Sequence, residues 1–180
     1  MQDADHIVDE VIAKVGTSIN LATHLAIGKA NHVINAFYKR AKEDPSINLN
    51  IMTALTLERP KGKSLLEKRF LALFVDRVFG DYPDLDYELD RVNNDLPDNV
   101  RVIEFYFPPG KFLHNQKVQQ DYISCNYTHA VRELMDKGAN VIAQLISPPE
   151  TAESTKISLS GNPDVALDLI EMMKQREVQE

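Results

Sequence analysis

The sequence has a single cysteine, Cys125, among its 180 residues, and an internal disulfide is therefore excluded. Its apolar runs are all much shorter than the roughly 20 residues that a membrane-spanning helix needs. The N-terminus, MQDADHIVDE, is acidic and lacks the basic segment and apolar stretch of a secretory signal. Together these absences predict a cytoplasmic protein.

Clusters of lysine and arginine are also lacking. The chain carries 27 acidic residues against 20 Lys and Arg, which gives a net charge of −7 and a pI near 5.2. A nucleic-acid binder gains much of its affinity by neutralising phosphates, so this charge balance argues against that class. The apolar content of 43% is enough for the core of one globular domain.

The rest of the chain is organised around Ile19–Lys42, INLATHLAIGKANHVINAFYKRAK. Apolar side chains alternate from Ile19 to Ile27, which is the period of a β-strand. After the turn at Gly28 and Lys29 they follow a helical period instead, and we expect Asn31 to cap that helix. A strand that leads through a glycine turn into a helix is the first half of a βαβ unit.

The same periodicities predict further elements along the chain. We expect strands at 46–57, 99–107, 140–146 and 156–160, and helices at 5–15, 64–80, 84–93, 128–137 and from 162 to the end. Ser64 and Glu67 have the spacing of a capping box, and Asn162 with Pro163 has the pattern of a helix start. The alternation predicts an α/β fold with a mostly parallel sheet and helices on both faces.

Glycine is too sparse around the Gly28 turn for the common nucleotide-binding loops. A phosphate-binding P-loop needs an earlier glycine and a hydroxyl residue after the lysine, where this chain has Ala30. The dinucleotide motif needs two further glycines. Two interpretations stay open: the loop is a plain turn, or it faces an anionic or carbonyl group of another ligand.

Two features suggest catalysis and have simpler explanations. Cys125 and His129 are four residues apart and would share a helix face as a nucleophile and its base, although packing and capping roles are commoner there. Glu104 lies within an otherwise apolar strand. It is either a carboxyl with a raised pKa that acts in catalysis or a paired structural residue.

No metal site is predicted. The histidines lack the spacing of zinc ligands, and the acidic run lacks the glycine that a calcium loop has at its sixth position. We therefore expect this run to be a solvated face; its members are Asp81, Asp84, Asp86, Glu88 and Asp90.

Six segments that together span most of the chain resemble the N-terminal portion of the acetyl-CoA hydrolase/transferase family. The order and spacing of these segments carry the resemblance, and none of them is a catalytic signature. They are Thr23–Ala41, Leu49–Pro60, Phe79–Glu88, Val102–Leu113, Tyr122–Ser147 and Ser158–Leu169.

The resemblance implies a fold of the CoA-transferase and sugar-phosphate-isomerase type, built as two similar halves. It implies that a glutamate attacks a short-chain acyl-CoA such as acetyl-CoA, giving an enzyme–CoA thioester that passes CoA to another acid or to water. In the family this glutamate lies in the C-terminal half. Residues 1–180 are therefore expected to be an N-terminal α/β domain that holds no catalytic residue and is inactive alone.

The same resemblance places the acyl pocket of this half at the carboxyl ends of its strands. Its substrate-binding residues are expected to be Gly28, Lys29, Asn31 and Thr56. Ala30 stands where the family commonly has proline, which makes the turn less rigid. Coenzyme A enters as part of the substrate, and neither a separate cofactor nor a metal is implied.

The expected partners are an acyl-CoA or carboxylic acid substrate, the C-terminal half of the same protein and a second copy in a homodimer. The alternative function is a non-catalytic α/β ligand-binding or scaffold domain. An apolar face that this chain leaves uncovered favours the first interpretation, because a domain cut from a larger protein exposes the surface it loses.

Overall fold

The computed structural model describes residues 3–25, 28–147, 151, 156–159 and 162–179. Four strands and seven α-helices are defined in these ranges, with a 3₁₀ turn at Tyr127–His129. They are α1 Ala4–Val15, β1 Ser18–Leu25, α2 Asn31–Glu43, β2 Asn48–Ala54, α3 Leu65–Phe79, α4 Asp86–Asn93, β3 Val100–Glu104, α5 Gln116–Gln120, α6 Ala130–Asp136, β4 Val141–Ala143 and α7 Ala166–Gln179.

The four strands form one parallel sheet in the order β3-β2-β1-β4. Leu21 of β1 pairs with Ile51 of β2, and Ile51 pairs in turn with Val102 of β3. On its other side β1 pairs with β4, where Thr23 lies opposite Ala143. The predicted α/β class with a parallel sheet is confirmed.

Helices cover both faces of this sheet, as the sequence pattern predicts. One face packs against α1 and α2 through a core that includes Val8, Ile34 and Phe37. The other face packs against α6 and α7, where Leu134 and Leu169 contact a second apolar cluster. Because successive strand residues point to opposite faces, each strand supplies both cores.

The strands are shorter than the periodicity predicts. The segments predicted at 46–57, 99–107 and 140–146 form strands only at Asn48–Ala54, Val100–Glu104 and Val141–Ala143. The predicted strand at 156–160 is a single antiparallel bridge between Ser158 and Ser147, and Ser160 lies outside the described residues, as does Ile27. The apolar runs continue past these strands into loops whose large side chains are largely exposed, among them Leu57, Tyr106 and Leu145.

The predicted helix starts are right in one case and wrong in two. The capping box of Ser64 and Glu67 is confirmed. Asn31 does not cap α2: the cap position is Ala30, which makes no side-chain hydrogen bond. Asn162 and Pro163 precede α7 by a full turn, and the Asn162 amide oxygen accepts from the Asp164 N–H.

Helix α3 differs from the other helices in having no buried residue. Its apolar stripe is exposed: Phe70 is 77% exposed and Leu73 is 82% exposed. Local hydrogen bonds cap its two ends: the capping box at the start, and the Gly80 N–H, which donates to the Asp76 carbonyl, at the end. None of the helices in the described ranges is long and apolar enough to cross a membrane.

Candidate functional site at the carboxyl edge of the sheet

The loop after β1 is joined to the end of β2 by a buried lysine. The Lys29 side chain is only 1% exposed, and its Nζ donates to the carbonyl oxygens of Ala54 at 2.9 Å and Leu55 at 3.3 Å. Leu55 has a φ of 48°, a left-handed conformation that is costly for a residue with a large side chain. The ammonium group therefore holds the end of β2 in a strained turn.

Burial lowers the pKa of Lys29 from its usual value to about 8, because the charged form loses its hydration. The negative charges of Glu104 and Asp164 stabilise the ammonium form, and they therefore limit how far the pKa of Lys29 falls. A lysine with a pKa of about 8 is partly deprotonated at physiological pH, and lysines with such lowered pKa values are common at functional sites.

Asn31 fixes the other end of the same loop. Its amide nitrogen donates to the Pro83 carbonyl at 2.7 Å, and its oxygen accepts from the Tyr82 hydroxyl at 2.9 Å. Tyr82 also lies 2.9 Å from the Lys29 carbonyl oxygen. Asn31 thus ties the first turn of α2 to the segment before α4, a role that replaces the predicted cap.

Thr56 belongs to a buried network around Glu104. Its hydroxyl donates to Glu104 Oε1 at 2.7 Å, and its N–H donates to the same oxygen at 3.2 Å. Because the hydroxyl hydrogen of Thr56 is used in this bond, the Tyr87 hydroxyl is the donor in its 2.8 Å bond to Thr56. The other carboxylate oxygen of Glu104 lies 2.5 Å from Arg91 Nη1. Both carboxylate oxygens of Glu104 are therefore occupied. Of the two roles considered for it, catalytic acid or paired structural residue, the structure supports the second.

The network continues outward through a second carboxylate. Glu88 Oε2 lies 2.6 Å from Arg91 Nη2, and its Oε1 accepts from Lys111 at 2.5 Å, which also contacts Glu58. Burial raises the pKa of the Glu88 carboxyl, and the charges of Arg91 and Lys111 oppose that shift. The prediction of a solvated acidic face is wrong for Glu88, which is 3% exposed, because Arg91 lies one helical turn further along α4 and compensates its charge.

The turn before α7 closes the carboxyl end of β1 from the other side. Asp164 accepts from the Leu25 N–H at 2.8 Å and from the Tyr127 hydroxyl, while the His24 Nε2–H donates to the Pro163 carbonyl at 3.2 Å. Burial lowers the pKa of His24. Sequence reasoning missed this contact, since nothing in the sequence connects residues about 140 positions apart.

Gly28 lies close to the turn before α7. It has a φ of +93°, and a Cβ built there would lie 3.3 Å from the Asn162 Cβ. We expect Gly28→Ala to lower the free energy of unfolding by about 1–2 kcal/mol, measured by urea denaturation.

The matched control is Gly16→Ala, because Gly16 has a similar φ of +86° but no atom within 4 Å of the added Cβ. Gly16→Ala should lower the free energy of unfolding only by the amount that a left-handed backbone costs an alanine. Equal losses in the two variants would show that the turn containing Asn162 does not press on the loop.

Cys125 and His129 do not form the helical pair that their spacing suggests. Cys125 lies in an irregular segment before the 3₁₀ turn, so the two residues do not share one helix face. Burial raises the pKa of the Cys125 thiol, which is opposite to what an activated nucleophile needs. Within the described ranges, no group of three or more His, Cys, Asp or Glu side chains could hold a metal ion.

The Gly28–Asn31 loop lies at the topological switch point of the sheet. From β1 the chain adds β2 and then β3 on one side, whereas β4 is added on the other side. Open parallel sheets bind ligands at the carboxyl ends of the strands where the order reverses. Gly28, Lys29, Asn31 and Thr56 all lie at this edge, and all four are buried. As buried residues they can support the residues that line a ligand site and set the electrostatic potential at that site.

Comparisons with family models, curated proteins and solved structures find no match for this chain.

Proposed function

We propose that this chain is the substrate-side half of an acyl-CoA hydrolase or CoA-transferase that acts on short-chain thioesters such as acetyl-CoA in the cytoplasm. The observation that carries the proposal is the position of the Gly28–Asn31 loop at the switch point of a parallel sheet. This is the loop to which the family resemblance assigns the wall of the acyl pocket.

The charges at this edge support a nucleophile that comes from elsewhere. Glu104 and Glu88 each have an arginine or lysine within 2.6 Å, so neither carboxylate is available to attack a thioester. In the proposed reaction a glutamate carboxylate of another segment attacks the acyl-CoA carbonyl and expels the CoA thiolate, leaving a mixed anhydride. The thiolate then attacks the glutamyl carbonyl, which gives a glutamyl–CoA thioester and releases the acyl group as a free carboxylate. A second carboxylate takes up CoA by the reverse of these steps, or water hydrolyses the thioester and releases CoA. The present chain positions the acyl group and excludes water.

The test supplies acetyl-CoA, with and without a second short-chain carboxylic acid, to this chain alone and to a longer polypeptide that joins it to a second α/β half. It measures both free thiol and newly formed acyl-CoA. We expect activity only in the longer polypeptide. Activity in neither would overturn the enzymatic proposal in favour of a non-catalytic ligand-binding or scaffold domain. Activity in the 180-residue chain would show that the nucleophile lies within it.

A pair of asparagines on α2 tests the location of the pocket. Asn31 and Asn35 both donate to carbonyl oxygens of the segment before α4, but only Asn31 belongs to the switch-point loop. In the active polypeptide we expect Asn31→Asp to lower kcat/KM by at least about tenfold and Asn35→Asp to change it less than about twofold. Equal effects would place the acyl pocket elsewhere.

A further inference from the structure

Helix α3 carries more exposed large apolar side chains than any other helix in the described part of the chain. Five large side chains, each more than half exposed, lie along one side of the helix: Leu66, Phe70, Leu73, Phe74 and Val78. Single exposed apolar residues are ordinary, whereas a contiguous group of this size marks an interaction surface. The helix is already formed and capped at both ends, so a partner binds it without having to order it.

We propose that this surface, the α3 stripe, pairs with the α3 stripe of a second copy of the chain, with the two helices antiparallel about a two-fold axis. The inference does not rest on the acyl-CoA proposal. It is carried by the charges that flank the stripe and by its area.

The flanking charges are self-complementary. Arg69 and Asp76 are seven residues apart, which is close to two turns, so they lie on the same flank of the helix. When two antiparallel helices pack, this flank of one faces the same flank of the other. With the axis between Ala72 and Leu73, each Arg69 lies opposite the Asp76 of the second copy.

Neither charge has another partner in the described part of the chain: no ion pair joins Arg69 or Asp76 to any of those residues. Glu67 lies on the Val78 side of the stripe and faces Val78 of the second copy, so no like charges meet there. Arg77 lies at the end of the stripe, where its long side chain can reach water. In a parallel pair this flank would face the opposite flank of the second copy, so Arg69 would not lie opposite Asp76.

The area of the stripe fits a dimer of modest strength. Five side chains of this size present roughly 500 Å² on each copy, against about 800 Å² per partner in a standard interface. The helix is about 22 Å long, so the contact is a single pair of helices. We therefore expect dissociation in the micromolar range rather than a permanent dimer.

Charge reversal tests the partner and the register together. The dissociation constant of the dimer is measured by sedimentation equilibrium for the wild type, Arg69→Asp, Asp76→Arg and the double variant. Each single reversal should raise the constant by roughly tenfold, because two symmetry-related pairs become repulsive. The double variant should return to within about threefold of the wild type, since the pairs re-form with their signs exchanged.

Two further variants complete the experiment. Leu73→Glu, next to the two-fold axis, should leave only monomer, whereas Lys68→Asp, on the side of the helix away from the stripe, should change the constant less than about twofold. Circular dichroism checks that each variant keeps its fold, which is expected because α3 has no buried residue.

A wild-type chain that stays monomeric at high micromolar concentration would overturn the proposal. A dimer that tolerates Leu73→Glu would place the interface elsewhere, and a double variant as weak as the single ones would exclude the antiparallel register. A longer polypeptide that is monomeric with α3 protected from hydrogen exchange would identify another segment as the occupant. None of these measurements involves acyl-CoA, so their failure is separate from failure of the proposed activity.

Discussion

Replacing Arg91 with methionine is expected to lower the free energy of unfolding by about 3–5 kcal/mol. Arg91 is 1% exposed and pairs with Glu88 and Glu104, which are also buried. Its guanidinium carbon lies 4.6 Å from the centre of the Phe112 ring, which adds a cation–π contact. Methionine keeps much of the volume and removes the charge, so both carboxylates lose their shared partner.

The measurement is urea denaturation of Arg91→Met beside two other variants. Arg40→Met removes a half-exposed arginine that pairs with Asp9 at the surface, and it should cost less than about 1 kcal/mol. Arg91→Met combined with Glu104→Gln should recover part of the loss, because one unpaired charge is gone. The explanation is wrong if the surface and buried arginines cost the same.

The second large effect is a dependence of stability on pH that comes from Lys29. The pKa of this lysine is about 8 in the fold and 10.5 as the ordinary value, so the unfolded chain binds more protons between these two values. The free energy of unfolding therefore rises with pH between about 8 and 10.5. Below pH 8 Lys29 is charged in both states, so the folded state is destabilised by the full free energy of burying that charge. Between pH 7 and about pH 9.5 this lysine should add about 2 kcal/mol.

The test compares the wild type with Lys29→Met at both pH values. Between the two pH values the free energy of unfolding should increase by about 2 kcal/mol less in Lys29→Met than in the wild type, whatever the absolute stability of the variant. The exposed Lys39→Met serves as control and should keep the wild-type pH dependence. The upper pH stays below 10, because burial raises the pKa values of Tyr38 and Tyr87 and these tyrosines lower stability in alkali. Equal slopes in all three proteins would contradict a buried, charged Lys29.

Local patterns predicted the class of the fold, because alternation and helical period are properties of neighbouring residues. Ser64 and Glu67 could be identified as a capping box for the same reason. The role of Glu88 could not, since its burial depends on Arg91 and on Lys111 beyond β3. The contact between Asp164 and Leu25 likewise depends on how the two ends of the chain meet.

The sequence predicted that the candidate site lies at the carboxyl ends of the strands, but it did not predict the contacts that the site residues make. The resemblance named Gly28, Lys29, Asn31 and Thr56, and they lie along one edge of the sheet. That Lys29 crosses to the carbonyls of β2, and that Asn31 binds Tyr82 and Pro83 instead of capping its helix, depends on three-dimensional packing. The periodicity of apolar residues predicts helices and strands, but it does not predict where the side chains of a loop point.

The position of β1 between β2 and β4 has a consequence for the order of folding. Asn20 bonds to Asn50, 30 residues away, and to Asn140, 120 residues away. Closing the longer loop costs about 1 kcal/mol more in chain entropy if nothing between has formed. The first three strands can therefore assemble as the chain emerges from the ribosome. One edge of β1 then stays open until residues 141–143 arrive, and the turn before α7 can settle on the Gly28 loop only after that.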